Sequence, residues 1–163
     1  MKKKYYFILL FIILVTASLY ILTGKGGMDP KVVVDAYKQE WGVTIPPPTA
    51  ESPILAHELA QTGSGQWVTL YEYDKIPSMT NTEMEEVTTE NQAYYQKLLN
   101  KFKEDTLDTG LTSDMKKSLQ DHEPTIEVGD YAYYRAKNDG KDYFLAIQEK
   151  KQLYTYTWHE LAL

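Results

Sequence analysis

The sequence contains no cysteine. Disulfides, thiolate nucleophiles and thiolate metal sites are excluded together, and so is lipid attachment through a cysteine. Histidine is scarce, at three residues. Basic charge is scarce beyond the N-terminus. Four of the 17 Lys and Arg residues lie in the first 27 positions, which leaves 13 against 23 acidic residues and a formal charge of about −10 on the remainder. A surface that acidic is a poor partner for nucleic-acid phosphates and for anionic lipid headgroups.

What the chain has instead is aromatic residues: 14 Tyr, 4 Phe and 3 Trp. They must supply the core that no disulfide staples. Tyrosine at this density suits a sheet with half-wet edges, because the ring buries while the hydroxyl stays hydrated. The 136 residues after position 27 (163 less 27) suffice for one core but hardly for two.

Lys2, Lys3 and Lys4 precede an uncharged apolar run from Tyr5 to Leu22. As a helix this run reaches about 27 Å, the thickness of a bilayer's hydrocarbon, and it shows no polar face. Thr23 to Gly27 reads as a flexible exit. The lysines hold the N-terminus in the cytoplasm and send the rest outside. The sequence therefore predicts a signal-anchor in the cell membrane, a single-pass transmembrane helix that meets lipid through residues 5–22. The alternative is a signal peptide cleaved near Ala17, which would leave a secreted domain; the apolar run continuing through Leu22 argues for the anchor. The expected organisation is a basic tip, span and exit over 1–27, a short helix and Pro-rich connector over 28–48, and an extracytoplasmic α+β domain over 49–163.

Asp29 and Pro30 open a helix in which Val33, Val34, Tyr37 and Trp41 form one apolar stripe and Gly42 stops it. Ile45 and the three prolines after it read as an extended connector. Ile54 to Ala60 and Gln66 to Tyr73 flank Thr62-Gly63-Ser64-Gly65, which predicts a hairpin. In its second strand Trp67, Thr69, Tyr71 and Tyr73 share a face opposite Val68 and Leu70. A long helix is predicted from Thr82 to about Lys103, with acidic residues at its start, lysines near its end, and an apolar stripe from Met84 and Val87 to Phe102. A shorter one runs from Ser113 or Asp114 to Leu119.

The C-terminal third is the most explicit. Asp139-Gly140 is a strong hairpin signal, since both turn positions need positive φ. A two-residue turn there sets Ala136 opposite Tyr143, Tyr134 opposite Leu145 and Ala132 opposite Ile147. A second turn at Lys150-Lys151 sets Tyr143, Leu145 and Ile147 opposite Trp158, Tyr156 and Tyr154. The expected fold is thus α+β: a three-stranded meander plus the earlier hairpin, packed against one long helix. The meander's other face carries Tyr131, Tyr133, Arg135, Phe144 and Leu153. Either the first helix or a loop covers it, or it is an exposed patch of the kind that marks a partner-binding site.

No catalytic, metal or cofactor motif is complete. His57-Glu58-Leu59-Ala60-Gln61 misses the HExxH zinc pattern at its fifth position. His122-Glu123 and His159-Glu160 are neighbours whose side chains point apart in a strand. Gly63-Ser64-Gly65 lacks the spacing of a nucleophile elbow, and Gly24 to Gly27 lacks that of a phosphate-binding loop. Asn138 to Asp142 touches a calcium-loop pattern, but Arg135 and Lys137 stand where it needs oxygen ligands. Glu83, Glu85, Glu86 and Glu90 form an acidic cluster on the expected helix start. The functional expectation is a membrane-anchored, non-enzymatic binding or regulatory module of the cell envelope, whose partner is another envelope protein or an exported peptide. The alternatives are an envelope enzyme using a carboxylate or tyrosine site, and a structural subunit of a membrane assembly.

Overall fold

The computed structural model describes residues 30–59 and 64–160. In chain order its elements are α1 (Pro30–Trp41), β1 (Ala50–Leu59), β2 (Ser64–Glu72), β3 (Glu85–Glu86), α2 (Gln92–Leu107), α3 (Ser113–Asp121), β4 (Tyr131–Lys137), β5 (Asp142–Glu149) and β6 (Gln152–His159). The strands form one antiparallel sheet in the order β1-β2-β6-β5-β4-β3. The meander and the hairpin are therefore one continuous sheet, joined by β2 against β6.

The expected membrane span, residues 5–22, lies outside the described residues, as does the Asp29 cap. Among the described residues no helix is long and apolar enough to cross a membrane. The longest, α2, has 16 residues and carries Lys97, Lys101, Lys103, Glu104 and Asp105. The expected fold class is corrected accordingly. Among the described residues there are three α-helices and a six-stranded antiparallel sheet, none of these helices is the expected single-pass anchor, and the anchor with the membrane localisation built on it is not supported.

Both registers of the meander are as the turn chemistry dictates. Ala136, Tyr134 and Ala132 face Tyr143, Leu145 and Ile147, and these face Trp158, Tyr156 and Tyr154. Asp139 and Gly140 take φ of 56° and 86°, and Lys141 N–H closes the turn on Asn138 O at 3.2 Å. Lys150 accepts an unfavourable φ of 53°, and the Gln148 amide donates to its carbonyl at 2.6 Å.

The helix expected over Thr82–Lys103 starts ten residues later. Met84 and Val87 were assigned to one helical stripe, yet Met84 packs in the core on one side of the sheet and Val87 in the core on the other. Three residues apart, a strand presents opposite faces where a helix presents one. The segment runs as an edge strand, Glu85 and Glu86 pairing Ala132 and Tyr131. Asn91 then ends the loop, its Oδ1 accepting from Thr88 N–H at 2.7 Å. α3 begins on Thr112, whose hydroxyl oxygen accepts from Met115 N–H.

The sheet is buried on both faces. α2 and α3 cover one, where Leu99 and Phe102 meet Tyr143, Leu145, Ile147 and Tyr156. Phe102 stands edge-on to the rings of Tyr143, Tyr156 and Trp158. α1 and residues 43–45 cover the other face, where Val33, Trp41, Val43 and Ile45 meet Tyr71, Phe144 and Leu153. The Pro-rich connector is thus anchored: Val43 and Ile45 are fully buried, and Tyr73 OH donates to Pro46 O at 3.0 Å.

Candidate functional site

α1 is seated by its C-terminal end. Gly42 follows it at φ 73°, its N–H bonding Lys38 O at 3.1 Å, the left-handed closure that glycine permits. A helix end leaves carbonyls without partners. Here the Trp41 carbonyl accepts from Tyr133 OH at 2.8 Å and from Arg135 Nη1 at 2.9 Å. The guanidinium also suits the negative end of the helix dipole. The Trp41 indole, fully buried, stacks on Phe144 at 5.5 Å and 18°, and Lys137 Nζ sits over its ring at 4.0 Å.

The five residues expected to share the second sheet face do share it. Phe144 and Leu153 are fully buried there beneath α1, and Tyr131 and Tyr133 pack against the same cluster. Tyr133 and Arg135 grip the end of the helix. What sequence reasoning missed is the neighbouring surface. α1 covers the β4–β5 side of this face and leaves a cleft of about 470 Å³ toward β2, β6 and the start of β1. Ala36, Tyr37 and Glu40 form its helical wall, and Trp67, Thr69, Tyr71, Thr157, His159 and Glu51 its sheet side. The alternation of Trp67, Thr69 and Tyr71 in the sequence was the available signal.

The hydroxyls at the base of the cleft form a directed chain. Thr155 Oγ1 donates to Thr69 O at 3.4 Å, so it accepts from Tyr37 OH at 3.0 Å, and Tyr37 in turn accepts from Tyr71 OH at 3.1 Å. Burial pushes both tyrosine hydroxyls up from their ordinary value. Both stay protonated at neutral pH and serve as hydrogen-bonding groups rather than bases. His159 lies between the rings of Trp41 and Trp67, at 5.5 and 5.7 Å. Its Nδ1 is 3.4 Å from Asp142 Oδ1 and its Nε2 3.4 Å from Glu40 Oε1, so it ties α1 to β5.

The other sequence candidates are occupied elsewhere. His57 lies on a strand, its Nδ1 at 2.9 Å from Gln66 Oε1 and beside Thr109; Gln61 lies outside the described residues. His122 Nδ1 donates to Ser118 O at 2.8 Å, while Glu123 accepts both of its bonds from Lys103. Glu83 and Glu85 part to opposite sides of the sheet. Glu83 pairs with Lys38 and accepts from Thr44 N–H, and Glu85 accepts from Tyr95 OH at 2.6 Å. Asn138 donates to Asp142 across the hairpin turn. Among the described residues no group of three or more His, Asp or Glu side chains is placed to hold a metal ion. Comparison with family models, curated proteins and solved structures finds no match.

Proposed function

We propose that the protein is a non-enzymatic binding module that holds a segment of a partner polypeptide in the cleft beside α1. The observation that carries this reading is the cleft itself, an open hollow of about 470 Å³ walled by Tyr37, Trp67 and Tyr71, on a sheet otherwise covered on both faces. Its volume lies within the range of ligand sites, and aromatic side chains are the residues that anchor interfaces. Its hydroxyls are already committed to one another, so they shape the floor of a site more readily than they move protons.

The test is an amide correlation spectrum of isotope-labelled protein, titrated with a panel of short peptides of varied charge and apolar content. The expected perturbations gather on Ala36, Tyr37, Trp67, Thr69, Thr157 and His159. Ligands whose perturbations all map elsewhere refute the reading.

A further inference from the structure

The two edges of the sheet are finished differently. At one, β1 carries Pro53 and a bulge between Pro53 and Leu55, and the Ser118 hydroxyl of α3 donates to Ile54 O at 3.0 Å. Proline, bulges and covering elements are the means by which sheets close their edges to other strands. At the other edge, β3 pairs with Tyr131 and Ala132 alone. β4 has seven residues, so five of them, Tyr133 to Lys137, run about 17 Å past this pairing with β5 on their inner side.

Alternation decides which backbone groups this leaves open. Val87 N–H bonds Asp130 O at 2.7 Å, so the even-numbered residues of β4 turn their backbone toward β3 and the odd-numbered ones toward β5. The N–H and C=O of Tyr134 and Ala136 therefore point outward, and among the described residues no strand pairs with them. A longer β3 would set Glu83 opposite Tyr134, but Glu83 lies outside the ladder, held by Lys38 and Thr44 N–H. An aromatic wall stands beside this edge. Tyr134 is half-buried, and Tyr94 of α2, 50 % exposed, meets it edge-on at 6.4 Å. Ala136 is exposed and small.

We infer that the outer edge of β4 is a second binding site, which takes an extended segment of a partner polypeptide as a seventh strand of the sheet. Two donors and two acceptors at the spacing of a strand select another backbone in the same conformation. Every second side chain of the incoming strand falls on the α2 face, and the one beside Tyr134 meets the rings of both tyrosines, which select an aromatic or aliphatic residue. This edge lies three strands from β2, whose flank forms the cleft, so the two sites are separate.

The experiment titrates the full chain with an acetylated, amidated hexapeptide of alternating threonine and valine in which one central valine is phenylalanine. The amide spectrum and amide hydrogen exchange follow the binding. Shifts are expected at Tyr94, Tyr134, Arg135 and Ala136, with exchange protection gained at the Tyr134 and Ala136 amides. Methylating alternate peptide nitrogens distinguishes the two edges of the added strand. One pattern should weaken binding about tenfold, and the other should leave it within about twofold. Glutamate in place of the phenylalanine should weaken it about fivefold. Ala136→Pro removes an outward N–H at a position where an edge strand tolerates proline, and should weaken binding about tenfold while the circular dichroism spectrum stays native. Tyr94→Ala, at an exposed position, should remove the preference for phenylalanine. Equal weakening by both methylation patterns overturns the inference, and so does unchanged exchange at Tyr134 and Ala136 with the peptide at millimolar concentration. Shifts confined to Ala36, Tyr37 and Trp67 overturn it and leave the cleft reading standing. Edge amides already protected in a concentration-dependent dimer make a second copy the occupant and overturn the partner strand.

Discussion

Replacing Trp41 by alanine separates a docked α1 from a helix that merely lies near the sheet. The helix has 12 residues, a length at which an isolated helix is marginal, so its order depends on docking. Trp41 is the largest side chain that seats it, with no exposed surface. Burying about 200 Å² of indole is worth about 5 kcal/mol at about 25 cal/mol per Å². Its Nε1 is buried without a hydrogen-bond partner, which offsets about 1–2 kcal/mol of that. The net expectation for Trp41→Ala is a loss of about 3–4 kcal/mol, within the range for deleting a buried aromatic side chain. Trp41→Phe keeps a ring on Phe144 and removes the unpartnered N–H, so its loss should be about 1 kcal/mol or less. Urea unfolding by circular dichroism measures the totals, and amide hydrogen exchange locates them. In the alanine variant the amides of α1 should lose protection while those of β5 and β6 keep theirs. A loss below about 1 kcal/mol for alanine, with α1 still protected, would refute the seating and the cleft that depends on it.

Gly65→Ala should lower stability by about 1–3 kcal/mol in urea unfolding. A Cβ there would lie 2.4 Å from His57 O and 3.0 Å from Glu58 Cα, backbone atoms of the paired strand, and an unchanged midpoint would contradict the β1–β2 register. Glu83 offers a pH test. Its partial burial would raise its pKa, but Lys38 and Thr44 N–H outweigh this and hold the carboxyl below the ordinary 4.5. A depressed folded-state value means the stabilisation is present above pH 4.5 and is lost as pH falls through the lower value. The melting temperature of Glu83→Gln should therefore fall less steeply in acid than that of the parent, and parallel curves would exclude the pair. Thr106→Val removes a buried hydroxyl whose Oγ1 has no partner. Unfolding should show stability unchanged or raised by up to about 1 kcal/mol, and a clear loss would mean the hydroxyl is engaged.

The meander was legible because its evidence is local. Asp139-Gly140 specifies its turn, and the two-residue period of the flanking strands then permits one register that keeps Tyr143, Leu145 and Ile147 on a common face. The start of the long helix was illegible for the opposite reason. Met84 and Val87 fit a helical period when the chain is read alone, and only the presence of a core on both sides of the sheet distinguishes a strand there. The residues picked for the second sheet face were grouped correctly by strand alternation. That Tyr133 and Arg135 meet the carbonyl of Trp41, more than ninety positions away, is a fact of folding that no local pattern carries.

The same division holds for the site. Composition set the chemistry available: no thiols, three histidines, an acid excess, fourteen tyrosines and three tryptophans. Local sequence pattern determined that α1 ends at Gly42 and that Trp67, Thr69 and Tyr71 share one side of β2. Tertiary structure alone decided that β2 pairs with β6 and that α1 rests toward β4 and β5, leaving the flank of β2 open. It also brought Glu40, Glu51 and His159 to one hollow from three separate elements. Side-chain periodicity specifies which face a residue occupies, but the choice of neighbour across that face belongs to the packing of the whole sheet.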